Sequence, residues 1–206
     1  MLKVGSAVLV LFLVSGCAGK LDYIRPDPLS GSTPNTKVVE RSREVVWNEV
    51  VPALGKQFFV INNLDKSSGL INISYSGDPI KYIDCGRIVS YVKNARGERT
   101  YEFPAASASQ QYEVMNNSGL FQLQRDMSLE GRVNLIFEEV GPNTTRVTAS
   151  TRYVVQRKQS VRDMAGRSDS KTDVVNFNSG SGASFPEGAY CQSNGALERE
   201  LLGIVR

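Results

Sequence analysis

Between residues 38 and 57 the apolar residues repeat with a helical period. Trp47, Val50, Val51 and Leu54 stand at i, i+3, i+4 and i+7, with Arg43, Glu44, Asn48 and Glu49 on the other side. Ser42 is placed to cap the start. Pro52 predicts a kink or an early end, because an interior proline removes a backbone bond at a cost of about 3 kcal/mol. The period then falls to two. Strands are predicted over 58–62 and 70–75, where Ile71, Ile73 and Tyr75 share a face, and over 87–93 and 99–103 around the turn residues 94–97. Residues 104–119 read as loop. The clearest hairpin pairs 129–140 with 145–156 about Gly141-Pro142-Asn143. Val133, Leu135 and Phe137 share one face of its first strand, and Val147, Ala149, Thr151, Tyr153 and Val155 one face of its second. Residues 157–172 are polar and read as a projecting loop or frayed tip, 173–178 as a short strand and 179–188 as a flexible connector. Ser193 stands before a terminal helix with the stripe Leu197, Leu201, Ile204 and Val205. The pattern predicts one α+β domain over 38–206, an antiparallel sheet covered by an N-terminal and a C-terminal helix.

The chain before residue 38 reads as an address. Lys3 precedes the apolar run 8–14, which is too short to cross a ~30 Å hydrocarbon core comfortably, so residues 1–16 read as a signal peptide. The run ends in Leu13-Val14-Ser15-Gly16-Cys17, which resembles the lipobox of bacterial lipoproteins. That resemblance implies that Cys17 is the acylated N-terminus. With Ala18 rather than Asp next to it, it also implies an outer-membrane protein of a Gram-negative bacterium, facing the periplasm. Residues 17–37, with Pro26, Pro28 and Pro34, read as a lipidated N-terminus and flexible tether. Tyr23, Ile24 and Arg25 are its candidate partner-binding anchors.

Composition narrows the chemistry. The 206 residues carry 24 Lys+Arg against 21 Asp+Glu and no histidine. The missing histidine removes imidazole general bases, Ser–His and Cys–His nucleophiles and imidazole-bound zinc. Glu138 and Glu139 are adjacent on a predicted strand and point to opposite faces, so they are no glycosidase pair. No phosphate-binding glycine motif and no metal-loop spacing is present, and the charge balance does not point to nucleic acid. The reading is therefore a non-enzymatic protein without catalytic residues, cofactor or metal. Of the three cysteines, Cys85 and Cys191 remain once Cys17 is acylated, and an oxidising periplasm predicts a disulfide between them. The basic run that includes Arg157, Lys158 and Arg162 is a candidate contact for anionic head groups or an acidic partner, or a solvated hairpin tip.

A lipobox, a proline-containing tether, a helix with Trp47 and Leu54, then Phe59-Val60 and Gly69-Leu70-Ile71-Asn72-Ile73-Ser74-Tyr75 resemble the opening of a domain in the C-subunit lipoprotein of the bacterial β-barrel assembly machinery. The resemblance covers roughly residues 39–76 and the terminal helix, and it implies a helix-grip type of fold. The chain differs in having one domain, a shorter tether and the extra cysteine pair. Two functions follow as expectations. One is an accessory or scaffold component of an envelope complex, held by acyl chains on Cys17 and binding an envelope protein. The other is a carrier of a lipid or small apolar ligand in a cavity between helix and sheet.

Overall fold

In the computed structural model, which describes residues 18–28, 35–57 and 59–206, one face of alternating residues runs through two very long strands. The elements in chain order are β1 (Ala18–Ile24), β2 (Thr36–Val39), α1 (Arg43–Leu54), β3 (Val60–Asp65), β4 (Leu70–Gly77), β5 (Ile83–Asp84), β6 (Arg87–Asn94), β7 (Gly97–Pro104) and β8 (Ser109–Asn116). They continue with β9 (Gly119–Gly141), β10 (Thr144–Asp163), β11 (Ser168–Asn178), β12 (Gly182–Ser184), β13 (Tyr190–Ser193) and α2 (Ala196–Ile204). A single 3-10 turn covers Pro79–Lys81.

The expected α+β, helix-grip-like fold is corrected. The described chain is 62% strand and 13% helical, a mostly β protein with two short helices. The strand content was underestimated because β8, the distal halves of β10 and β11, and β1 carry few apolar residues. Strand pairing is made by backbone groups and does not need an apolar face at every position. Thus 104–119 is not a loop but largely β8, and 157–172 is not a projecting tip but the paired ends of β10 and β11. Residues 18–24, expected in a flexible tether, pair with β6 along their whole length, from Ala18 opposite Lys93 to Ile24 opposite Arg87.

The β9–β10 hairpin is the spine. Its 23- and 20-residue strands pair from Gly141 opposite Thr144 to Phe121 opposite Asp163. Asn143 turns the chain with φ 59, a left-handed conformation that asparagine tolerates. The half next to this turn is widened by β4 and β3 on the β9 side and by β2 on the β10 side. The other half is widened by β8 and β11. The helices pack on the first half, where Trp47 meets Phe137 edge-on at 5.3 Å between ring centroids and Val46, Val50 and Leu54 are buried. Helix α1 ends two residues after Pro52. On the opposite face, an asparagine ladder of Asn62, Asn72 and Asn134 is exposed, with Asn62 Nδ2 donating to Asn72 Oδ1 at 3.0 Å and Asn72 Nδ2 to Asn134 Oδ1 at 2.7 Å.

The separate sheet β1-β6-β7 packs over β8 in the distal half. Phe103 packs at a tilt against Tyr112 at 5.0 Å between ring centroids, and Ser90 Oγ donates to the Glu113 carbonyl. The third sheet, β12-β13-β5, carries the Cys85–Cys191 disulfide. That pairing agrees with the expectation from the sequence. Both cysteines are fully buried, and the bond ties the start of the β6 arm to the strand that leads into α2.

Candidate functional site

Odd-numbered residues point inward over 125–137 of β9 and 145–157 of β10: Met127, Leu129, Val133, Leu135 and Phe137 on one strand, and Val147, Ala149, Tyr153 and Val155 on the other. The same parity carries two arginines into the interior. Arg125 and Arg157 are each only 2% exposed. Arg157 stands opposite Met127 and Arg125 opposite Gln159, so the two guanidiniums are diagonal neighbours on one face. β11 continues the parity and places Asp173 beside Arg157, since these two residues are paired in register.

Arg157 Nη2 donates to Asp173 Oδ2 at 2.6 Å and to the Pro186 carbonyl at 2.8 Å. Its guanidinium carbon lies 4.5 Å from the centroid of the Phe185 ring, a cation–π contact. Its Nε is buried and has no partner among the described residues. The Arg157 donor holds the Asp173 carboxyl below the usual carboxylate range, against the opposing effect of burial. Arg125 has no ion pair among the described residues. Its Nε and Nη2 both donate to the Ala105 carbonyl, at 3.2 and 2.9 Å. Burial, followed by the neighbouring Arg157 charge, lowers Arg125 to about 10, so it remains a cation at neutral pH.

These arginines line a cavity of about 140 Å³ whose walls include Leu21, Tyr23, Ile88, Tyr112 and Ala189. Burial raises both the Tyr112 and the Tyr23 phenol, so each stays neutral. The centre thus offers fixed cations and neutral phenols around a small space. Guanidinium cations and un-ionised phenols supply neither a nucleophile nor a base at neutral pH, whereas they suit the capture of an anion.

The residues expected to bind partners are distributed differently. Tyr23 Oη donates to the Tyr190 carbonyl at 3.0 Å and accepts from the Tyr190 N–H at 2.9 Å. Arg25 lies over the Tyr190 ring at 4.2 Å. Both are therefore used to fasten β1 to β13, although Arg25, like Ile24 (43% exposed), remains open to solvent. Arg157 is an interior residue and leaves the surface basic run, while Lys158 and Arg162 stay exposed on β10. Arg125 and Asp173 were not singled out from the sequence. Their signal was the strand parity itself, extended past the last apolar residue.

A second feature lies where β1 begins. Ala18 and Gly19 line one groove with Arg96 of the β6–β7 tip, Met115 and Leu120 flanking the β8–β9 tip, and Met164 of the β10–β11 tip. Met164 is 60% exposed. Cys17 lies outside the described residues. No described helix is long and apolar enough to cross a membrane. Comparison of the chain with protein families, curated proteins and solved structures returns no match, so the functional reading rests on this geometry.

Proposed function

We propose that the protein is a non-enzymatic lipoprotein, anchored through Cys17 in the outer membrane and facing the periplasm, where it acts by binding as an accessory or scaffold component of an envelope complex. The observation that supports this most is the pairing of β1 with β6 from Ala18 onward, one residue after the lipobox cysteine. An acylated Cys17 then holds the body directly at the bilayer, without an intervening spacer. Three hairpin tips flank Ala18 and Gly19, with Arg96 and Met164 in them and Arg162 near the end of β10. Arg96 and Arg162 form no ion pair among the described residues and suit a head-group layer, where each well-placed charge contributes about 1 kcal/mol.

Such a body presents its far end, the turn at Asn143 with the flanking α1 and exposed β3, to the periplasm. The space between helices and sheet is filled by Trp47, Val50, Leu54 and Tyr153, all buried. An acyl-chain carrier would need a pocket of roughly 300–1,000 Å³. The arginine-lined cavity, at about 140 Å³, is smaller than that. The experiment is fatty-acid labelling and membrane fractionation of the full chain beside Cys17→Ser. Labelled, membrane-bound wild type and unlabelled, unprocessed variant are expected. Equal labelling of the two would overturn the anchor.

A further inference from the structure

We infer that the cavity around Arg125 and Arg157 is a binding site for one small oxyanion, a carboxylate or phosphate carried on a short apolar or aromatic body. This inference concerns the interior and does not depend on the anchor. The charge balance is the first ground. Two buried guanidiniums face a single buried carboxylate, that of Asp173. The other acids at the cavity, Asp22 and Glu187, lie at its exposed mouth and are already paired, Asp22 with Lys20 at 2.6 Å and Glu187 with Lys171 at 3.1 Å. They leave the positive charge in the depth uncompensated.

The second ground is the unused donors. Among the described residues Arg157 Nε is buried without a partner, and Arg125 spends both its bonds on one carbonyl, leaving Nη1 without a protein partner. An oxyanion in the cavity accepts from the unused Arg125 N–H and cancels the excess charge, which a water molecule cannot do. The third ground is position. Their nearest inward-facing neighbours on these strands, Met127, Leu129 and Val155, are apolar and buried. A merely structural role would be served as well or better by more such residues, because a buried charge gains nothing in stability over a well-packed apolar side chain. Leu21, Ile88, Tyr112 and Ala189 line the rest of the cavity and give the body of the ligand an apolar wall.

The test is calorimetric titration of purified full-length protein in detergent with benzoate, phenyl phosphate and the uncharged benzamide. One of the two anions is expected to bind at one site, at least ~10-fold more tightly than benzamide. Tighter benzoate identifies a carboxylate site, and tighter phenyl phosphate a phosphate site. Arg125→Met should weaken that binding at least ~10-fold, Arg125→Lys should retain part of it, and Arg152→Met, on the outer face, should leave it unchanged. Intermolecular NOEs from the bound ring to Ile88 and Tyr112 locate the ligand without any substitution. Absence of binding by both anions up to about 10 mM overturns the inference. So does unaltered binding by a folded Arg125→Met protein, or NOEs that place the ligand elsewhere.

Discussion

Replacing Arg125 by methionine should make the protein more stable. The guanidinium is 2% exposed, and burial, followed by the Arg157 charge, lowers its pKa to about 10. The difference from an ordinary arginine, at about 1.4 kcal/mol per pH unit, means that the folded state disfavours this charge by about 3 kcal/mol at neutral pH. Methionine keeps the length and removes the charge. Against that gain, the Ala105 carbonyl loses both its donors, at a cost of about 1–2 kcal/mol. A net gain of about 1–2 kcal/mol remains, which in a chain of this size raises Tm by roughly 2–8 °C. Urea unfolding of wild type and Arg125→Met at neutral and alkaline pH measures it. The sign of the pH effect is fixed. A cation whose pKa is lower in the folded than in the unfolded state destabilises the fold below that pKa. Raising the pH through about 10 therefore relieves the wild type, and the advantage of Arg125→Met should shrink there. A variant less stable than wild type by more than about 1 kcal/mol at pH 7, or an advantage that does not narrow at high pH, would refute the reasoning.

Reduction of the Cys85–Cys191 bond, which spans 106 residues of sequence, should lower stability in urea by about 4–5 kcal/mol, since a loop that long gains much entropy when opened. Tyr153 donates to both oxygens of the buried Glu198 at 2.8 Å, and Ser179 Oγ adds a bond at 2.6 Å. Tyr153→Phe strips a buried carboxylate of its main donor and should cost about 1.5–3 kcal/mol in the same assay, with Ser179→Ala losing less. Gly69 has φ +68, and a Cβ there would meet the Phe137 carbonyl oxygen at 2.4 Å, so Gly69→Ala should loosen the β4–β9 pairing and raise amide exchange along Leu70–Ile73.

What the sequence disclosed follows from which residues carry periodicity. The alternation Val133-Leu135-Phe137 and Val147–Val155 located the spine hairpin and its inward face, because apolar residues on one side of a strand have no other cause. Trp47, Val50 and Leu54 located α1, and the cysteine count located the disulfide. The extent of the sheets was illegible for a physical reason. At Ser109–Asn116 and at 157–172, strands are held by backbone bonds and by pairs such as Arg157–Asp173, so their composition matches that of a loop. The prolines at 26, 28 and 34 suggested a tether, yet β1 lies upstream of all three and pairs without hindrance. Arg157 was read as exposed because a charged residue normally is, whereas counting in twos from Val155 puts it inside. The cavity itself needs β1, β6 and the 185–189 segment to converge on β9 and β10, and no local pattern records that convergence.

In the arrangement we propose, the body sits directly on the bilayer with its three hairpin tips down. An environment-sensitive fluorophore, placed through a genetically encoded handle at Met164 or at Asn143 of the acylated protein in vesicles, reads the orientation by quenching from spin-labelled lipids. Strong quenching at Met164 and none at Asn143 are expected. Equal exposure of both sites to water, or quenching at Asn143 alone, would contradict that arrangement.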